Sequence, residues 1–330
     1  MSDHTVAVVG GSGFIGSSIA ARMAKKYRTI VVDQKRSNLA RGVEFKACDI
    51  RNPKEVRQSL ADVDLVIHTA IIQIPAINSE KRLGYDVNVL GTQNVCEAVE
   101  DNPGIRGLIL AGTWHTIGES AIDGMVDEGF GYRPDKVEDR ARLYAISKIV
   151  QESIVRYFDE LSPKVFGIIR MGTVLGEEMP ALTVANLFIQ KGLKGQPITP
   201  YKHSMHRPML YVDVNDVTKA FQRFSDMIVQ GKILKDGNSL NHVVNVVYPK
   251  PITIRELAFV VRREVLRLTE GNTRPRVEVV DDGLHELFGP WEKSKFEADT
   301  KKANILLGLS TLVSPEESIR SIIKGRLRVR

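Results

Sequence analysis

The sequence predicts a doubly wound α/β fold carrying a smaller C-terminal α/β unit. Three observations lead there: short β-branched runs alternate with helix-like stretches through the first half, Gly, Pro or Asp bounds each run, and a glycine-spaced turn follows the first run directly. TVAVV (5–9) enters that turn and is followed by a helical pattern over 14–26. TIVV (29–32) leads to a charged turn, VEFKA (43–47) to a helix over 53–60, and DLVIHTA (64–70) to a helix over 83–100. GLILA (107–111) precedes a helix over 143–161, and VFGIIR (165–170) closes the series. Strand–helix alternation of this kind builds parallel sheets from βαβ units, and strands buried on both faces read as continuous apolar runs.

After Arg170 the rhythm changes. A helix is expected over 179–191, then a Pro-containing stretch, a helix over 214–227 and a strand HVVNVV (242–247). From Pro251 the chain shows an amphipathic helix, TIRELAFVVRREVLRL, a strand RVEVV (276–280) and two short helical pieces ending near Lys324. The expected division is 1–170 plus about 209–248 for the first unit, and about 171–208 plus 249–330 for the smaller one.

The chain has 330 residues, 43% hydrophobic and 26% charged, with a net charge of +6. That is ordinary globular composition, with enough chain to bury a large core. Lys and Arg are interspersed with Asp and Glu, so no nucleic-acid footprint is expected and the excess points to small anionic ligands. Cys48 and Cys96 lie in no CxxC or Cys/His spacing, which implies reduced thiols and no metal site. No apolar run approaches the roughly 20 residues that span a bilayer, and the N-terminus reads as a strand rather than a secretory signal. A cytoplasmic protein without membrane or nucleic-acid partners is the expectation.

VGGSGFIG places Gly10, Gly13 and Gly16 three apart, between a strand and a helix. The first glycine suits a tight turn, the second close approach of a pyrophosphate, and the third close packing of helix on sheet. Free N–H groups at the helix start face the phosphates. Asp33 follows about 20 residues on, at the end of the second strand, where a carboxylate accepts hydrogen bonds from ribose hydroxyls. This context defines a Rossmann-type cofactor domain. It favours NAD over NADP, because a 2′-phosphate would meet a negative charge; Lys35 and Arg36 read as solvated turn residues.

Tyr144 and Lys148 stand in YAISK, one helical turn apart on one face. A phenol acts at neutral pH when a nearby ammonium favours phenolate, which is the role such spacing offers Lys148.

With these residues the chain resembles the extended short-chain dehydrogenases, the NAD-dependent epimerase/dehydratase family, over most of its length, and its UDP-sugar 4-epimerases in particular. VGGSGFIG, including Phe14 and Ile15, resembles the dinucleotide motif, and ACDIRN the adenine-contact motif with Asp49 and Ile50. DLVIHTA resembles the fourth strand with Thr69 and Ala70, and DVNVLGTQNV the stretch bearing the structural Asn, here Asn88. AGTWHTIGE resembles the segment supplying a catalytic hydroxyl, here Thr113. The resemblance implies that Tyr144 is the general acid/base, that Lys148 holds the nicotinamide ribose, and that Thr113 hydrogen-bonds the reacting oxygen during hydride transfer. It also implies a homodimer formed by the helices over 83–100 and around Tyr144, with Ile146, Val150 and Ile154 either in that interface or against their own sheet.

Substrate residues follow the family pattern less closely. Thr173 stands where UDP-sugar 4-epimerases carry Asn, and their late second phosphate-binding Arg has no clear counterpart. Arg207, in HRPMLYVDV, matches their first pyrophosphate-binding Arg, or is structural. The 4,6-dehydratases carry Asp and Glu where this chain has Trp114 and His115, so sugar dehydration is not expected. His115 either packs beside Trp114 or serves as a second acid/base. The expected function is NAD-dependent hydride transfer at a hydroxyl carbon of a nucleotide sugar, with epimerisation or net oxidation as outcome. A dehydrogenase of a non-nucleotide alcohol or ketone and a non-enzymatic NAD(P)-sensing regulator are the alternatives.

Overall fold

The computed structural model describes residues 2–37 and 39–328. Seven parallel strands form one sheet: β1 (Ser2–Val9), β2 (Tyr27–Asp33), β3 (Val43–Ala47), β4 (Leu65–His68), β5 (Gly107–Thr113), β6 (Val165–Met171) and β7 (Val243–Val246). They are ordered β3-β2-β1-β4-β5-β6-β7, so strand order reverses between β1 and β4. In open α/β sheets that reversal opens a crevice at the strands' carboxyl ends, where ligands bind. β4, β5 and β6 are buried throughout, as their uninterrupted apolar runs require.

Helices cover both faces. On one, α1 (Phe14–Met23) packs through Ile19, Ala20 and Met23 with Phe221 and Phe224 of a helix over Val214–Val229. The other is covered by Pro53–Ser59, Gly91–Asp101 and the 23-residue helix Asp139–Leu161, which contribute Val56, Val95, Val99 and Val155. Each such side chain, fully buried, stabilises the fold by about 1.5–3 kcal/mol before entropy is counted.

A second core joins Phe188 and Ile189 of the helix Val184–Leu193 to Leu257 and Val261 of the helix Ile254–Leu268, with Ile319 and Ile323 of the last helix, Pro315–Arg328. Thr253 and Glu256 close a capping box at the start of Ile254–Leu268. Three two-stranded pairings stitch this unit together: Thr173–Leu175 with Tyr211–Asp213, Pro208–Met209 with Ile252–Thr253, and Gly124–Val126 with Phe296–Ala298.

Several elements depart from expectation. The helix expected over 83–100 is Lys81–Tyr85, a π turn over Asp86–Leu90, and Gly91–Asp101. Inside the π turn, Asn88 exchanges hydrogen bonds with the backbone of Ile72. The long helix starts at Asp139 rather than 143, and the helix expected from 179 starts at Val184, past Pro180. RVEVV is not a strand: its Val277 and Val280 make isolated bridges to Ile198 and Tyr201. The helix Lys301–Leu307, expected with the smaller unit, packs Ala303 and Leu307 into the first core, because its apolar face meets the helix Val214–Val229 and β7.

Candidate active site

The crevice between β1 and β4 opens into a cavity of about 770 Å³. Gly10, Gly13, Phe14, Ile15, Gly16, Asp33, Ile50, Thr69 and Ala70 line it, together with Thr113, His115, Tyr144, Lys148 and Thr173. Residues far apart in sequence meet here because strand ends β1, β2, β4, β5 and β6 all terminate at one edge.

The glycine turn can be tested as a cradle. Gly10 sits at φ +77° and a Cβ there would come within 2.4 Å of Ala70 backbone, so only glycine fits. A Cβ on Gly16 would lie 2.5 Å from the Gly10 carbonyl oxygen, whereas one on Gly13 would meet only that oxygen, at 3.6 Å. The chain itself thus constrains the first and third glycines, and the second faces open cavity. Gly13 caps α1 with no side-chain hydrogen bond, leaving the helix N-terminus free for an anion. Asp33 accepts a hydrogen bond from the Ser12 amide at 3.1 Å, which ties its carboxylate to the turn. These features fit a dinucleotide with pyrophosphate at Gly13 and adenosine ribose at Asp33.

Two expected contact residues stand back from the cavity. Asp49 is held by Arg51 at 2.5 Å, and that guanidinium with the Gln34 side chain keeps its carboxyl low against a partial burial penalty. Asn88 is buried; beyond its bonds to Ile72 it donates to the Ser147 hydroxyl at 3.0 Å. It fixes the cavity-lining loop after β4 rather than lining the cavity.

Tyr144 and Lys148 project from the long helix towards the carboxyl end of β5. Burial pushes the Tyr144 phenol up to about 12, partly offset by a hydrogen bond with Thr113. Burial pushes the Lys148 ammonium down to about 7 against the favourable charge of Glu152, and its Nζ donates to the Ala111 carbonyl at 2.8 Å. The expected lowering of the phenol by this ammonium is therefore absent from the chain alone: desolvation acts on both groups and Lys148 is turned to the backbone. Thr173 accepts a long hydrogen bond from the Trp114 indole, at 3.4 Å.

His115 does not bond to backbone through its ring. Its Nδ1 lies 3.0 Å from Thr113 Oγ1 and its Nε2 3.1 Å from Glu119 Oε1. The ring packs on Trp114 and stands edge-on to Tyr144, with centroids 4.6 and 6.1 Å away. Glu119 has no exposed surface. Burial raises its carboxyl, but Arg207 and His115 outweigh that and hold it at about 2.

Arg207 is 6% exposed and lies 2.5 Å from Glu138 and 3.4 Å from Glu119. It lines a second cavity of about 920 Å³, whose walls include Leu187, Phe188, Tyr201, Leu287 and Phe288. Sequence reasoning missed Glu119 and Glu138; the one available signal was that Glu119 closes the AGTWHTIGE segment, four residues after His115.

Residues 6–238 match the model of the NAD dependent epimerase/dehydratase family. A putative UDP-glucose 4-epimerase of Methanocaldococcus jannaschii is 29% identical over 272 residues, covering 79% of this chain and 82% of that protein. The bovine sterol-4-alpha-carboxylate 3-dehydrogenase, decarboxylating, is 30% identical over 45% of this chain and 40% of its own length. Among solved structures, the Thermus thermophilus UDP-glucose 4-epimerase in complex with NAD superposes with a TM-score of 0.76 at 25% identity, covering 98% of this chain and 99% of that one. MoeE5 in complex with UDP-glucuronic acid and NAD gives a TM-score of 0.78 at 20% identity, with both chains fully covered.

Proposed function

The chain belongs to the NAD-dependent epimerase/dehydratase family, and from that premise we propose that it epimerises a hydroxyl-bearing carbon of a nucleotide sugar through a transient ketone. The observation that carries this reading is the meeting of Thr113, Tyr144 and Lys148 at one end of the glycine-cradled cavity. NAD, the family's cofactor, supplies the hydride acceptor when bound.

Gly10, Gly13 and Gly16, with Phe14 and Ile15, hold the cofactor's pyrophosphate half, and Asp33 its adenosine ribose. Ile50, Thr69 and Ala70 border the same cavity, while Asp49 and Asn88 act from behind it. Tyr144 takes the substrate hydroxyl proton and returns it, and Thr113 hydrogen-bonds the reacting oxygen. Lys148 keeps hydrogens beyond the one given to Ala111 and offers them to the nicotinamide ribose. Thr173 borders the sugar. With NAD bound, return of hydride to the opposite face of the ketone would invert the carbon, and return to the same face would restore the substrate. Cofactor binding is assigned to 1–170 plus about 209–248, and substrate binding to about 171–208 plus 249–330, with the helix Lys301–Leu307 bracing the first unit.

Arg207 is the diphosphate anchor in this reading, with Glu138 as the carboxylate the diphosphate displaces. Its pairing with Glu138 and Glu119, and the apolar wall around it, favour a second reading: a dehydrogenase of a non-nucleotide alcohol. Thermal shift with NAD present separates the two. UDP-glucose and UDP-glucuronic acid should raise the melting temperature with dose. No shift with either, alongside stabilisation by a sterol-like alcohol, would establish the second.

A homodimer is part of the proposal. Leu90, Tyr157 and Leu161 are exposed on the two helices expected to pair, and Ile146 and Val150 are half-buried beside them, while Ile154 packs on its own core. Light scattering should give twice the chain mass; a monomer mass would remove the dimer. No described helix is long and apolar enough to cross a membrane. The buried free thiols of Cys48 and Cys96 fit action in the cytoplasm.

A further inference from the structure

The Tyr144 phenol has to be unprotonated before it can take a proton from an alcohol. Burial works against that, and the nearby Lys148 ammonium is turned to the Ala111 carbonyl. Among the described residues one line of close polar groups leads away from the phenol without passing through a ligand, its last step an ion-pair contact rather than an aligned hydrogen bond. Tyr144 is hydrogen-bonded to Thr113, Thr113 Oγ1 lies 3.0 Å from His115 Nδ1, and His115 Nε2 lies 3.1 Å from the wholly buried Glu119.

The donors and acceptors fix its direction. An ionised carboxylate only accepts, so the nitrogen facing Glu119 carries a proton. In a neutral imidazole the other nitrogen, Nδ1, is then bare and accepts from the Thr113 hydroxyl. Thr113 Oγ1, having given its hydrogen to His115, accepts from the phenol.

We propose that His115 and Glu119 are positioning residues forming a proton relay for Tyr144: Glu119 fixes the imidazole tautomer, and His115 receives, through Thr113, the proton that Tyr144 must shed. The step balances. The phenol O–H bond breaks as its proton passes to Thr113 Oγ1, the Thr113 O–H bond breaks as its proton passes to Nδ1, and the products are phenolate and an imidazolium paired with carboxylate. No electrons are transferred, and the reverse step restores the phenol.

Arg207 and Glu138 complete the setting. Arg207 lies on Glu119 at 3.4 Å and keeps it ionised in a buried place, and Glu138 pairs with Arg207 at 2.5 Å and donates its amide to Glu119 Oε2 at 3.2 Å. The charged and titratable groups around His115 are therefore Glu119 on its own loop, Tyr144 on the long helix, with Lys148 one turn further on and turned to Ala111, and, behind Glu119, Arg207 and Glu138. This arrangement replaces a direct second acid/base role of His115 on the substrate, because both ring nitrogens are turned to the chain's own groups.

The inference rests on Tyr144 serving as acid/base, and one arm of its test needs no turnover. Two-bond proton–nitrogen spectra of the NAD complex, with His115 assigned by the signal lost in His115→Gln, should show the Nε2–H tautomer. Glu119→Gln, which removes the ionised acceptor facing Nε2, should weaken the Nε2–H preference. Glu119→Asp, which keeps the charge, should retain it and serves if the amide variant does not fold. An Nδ1–H tautomer in the unaltered protein, or a tautomer preference indifferent to loss of the Glu119 charge, overturns the relay whatever the substrate proves to be.

With a UDP-sugar, Glu119→Gln should lower kcat at near-constant KM, and Glu119→Asp should restore most of it. His115→Gln should lower kcat about 10²-fold, as loss of a positioned proton acceptor does. A kcat that Glu119→Asp fails to restore would mean that His115 and Glu119 only pack the loop. Absence of turnover with any sugar nucleotide bears on the proposed function, and the spectra still decide the relay.

Discussion

The Arg207 guanidinium lies 2.5 Å from the Glu138 carboxylate, both side chains being 8% exposed, across 69 residues of sequence. The guanidinium proposed to anchor a diphosphate is thus already paired within the chain. If UDP-sugar binding exchanges one anion for another at this Arg, Glu138→Gln should lower KM several-fold and leave kcat close to that of the unaltered protein, because the contact lies away from the reacting carbon. An unchanged or higher KM would mean that the diphosphate sits elsewhere.

Arg207 also shields Glu119. Removing one partner of a buried ion pair costs about 3–5 kcal/mol, because the other charge is left without compensation. Arg207→Ala should destabilise the protein on that scale in denaturant titrations. Arg207→Ala with Glu119→Gln should cost less than the sum of the single changes. Strict additivity would show that the two groups do not interact energetically.

Lys148 carries a stability cost that pH exposes. Its ammonium is pushed down to about 7 in the fold against an ordinary value of 10.5, so between those values the unfolded chain holds the extra proton. Stability should therefore rise with pH from about 7 to about 10.5, and the Lys148 contribution should be lost as pH falls through that window. Lys148→Met should unfold at higher temperature at pH 7, flatten this slope, and turn over little substrate. A Lys148→Met protein less stable than its parent would contradict the burial argument.

Asp33 should set cofactor choice. The protein should bind NAD more tightly than NADP by isothermal titration, and Asp33→Ala should narrow the difference, because repulsion of a 2′-phosphate and a ribose acceptor disappear together. Equal affinities in the unaltered protein would show that Lys35 and Arg36, which line the same end of the cavity, outweigh the carboxylate.

Local rules made part of this site legible. Gly10, Gly13 and Gly16 announce the cradle because a turn between strand and helix has few solutions, and Tyr144 and Lys148 share a face because a helix brings i and i+4 together. Parallel strands ending at one edge then carry Thr113 to the same place. Glu119, Glu138 and Arg207 were not legible as a cluster. They meet because the loop after β5 folds back beneath the start of the long helix, and no periodicity in sequence records which carboxylate reaches which guanidinium. The π turn over Asp86–Leu90 was hidden for a related reason: its apolar spacing reads as ordinary helix, and the extra residue shows in the backbone bond from the Gly91 N–H to the Asp86 carbonyl, five residues back.

Hydride chemistry at a sugar carbon with Tyr144 as acid/base can be followed by proton NMR of UDP-glucose incubated with the protein and catalytic NAD. A second anomeric signal, that of UDP-galactose, should grow to equilibrium without net NADH. Tyr144→Phe should slow this by about 10²–10⁴-fold while retaining NAD. Stoichiometric NADH without a new sugar nucleotide, or undiminished conversion by Tyr144→Phe, would contradict it.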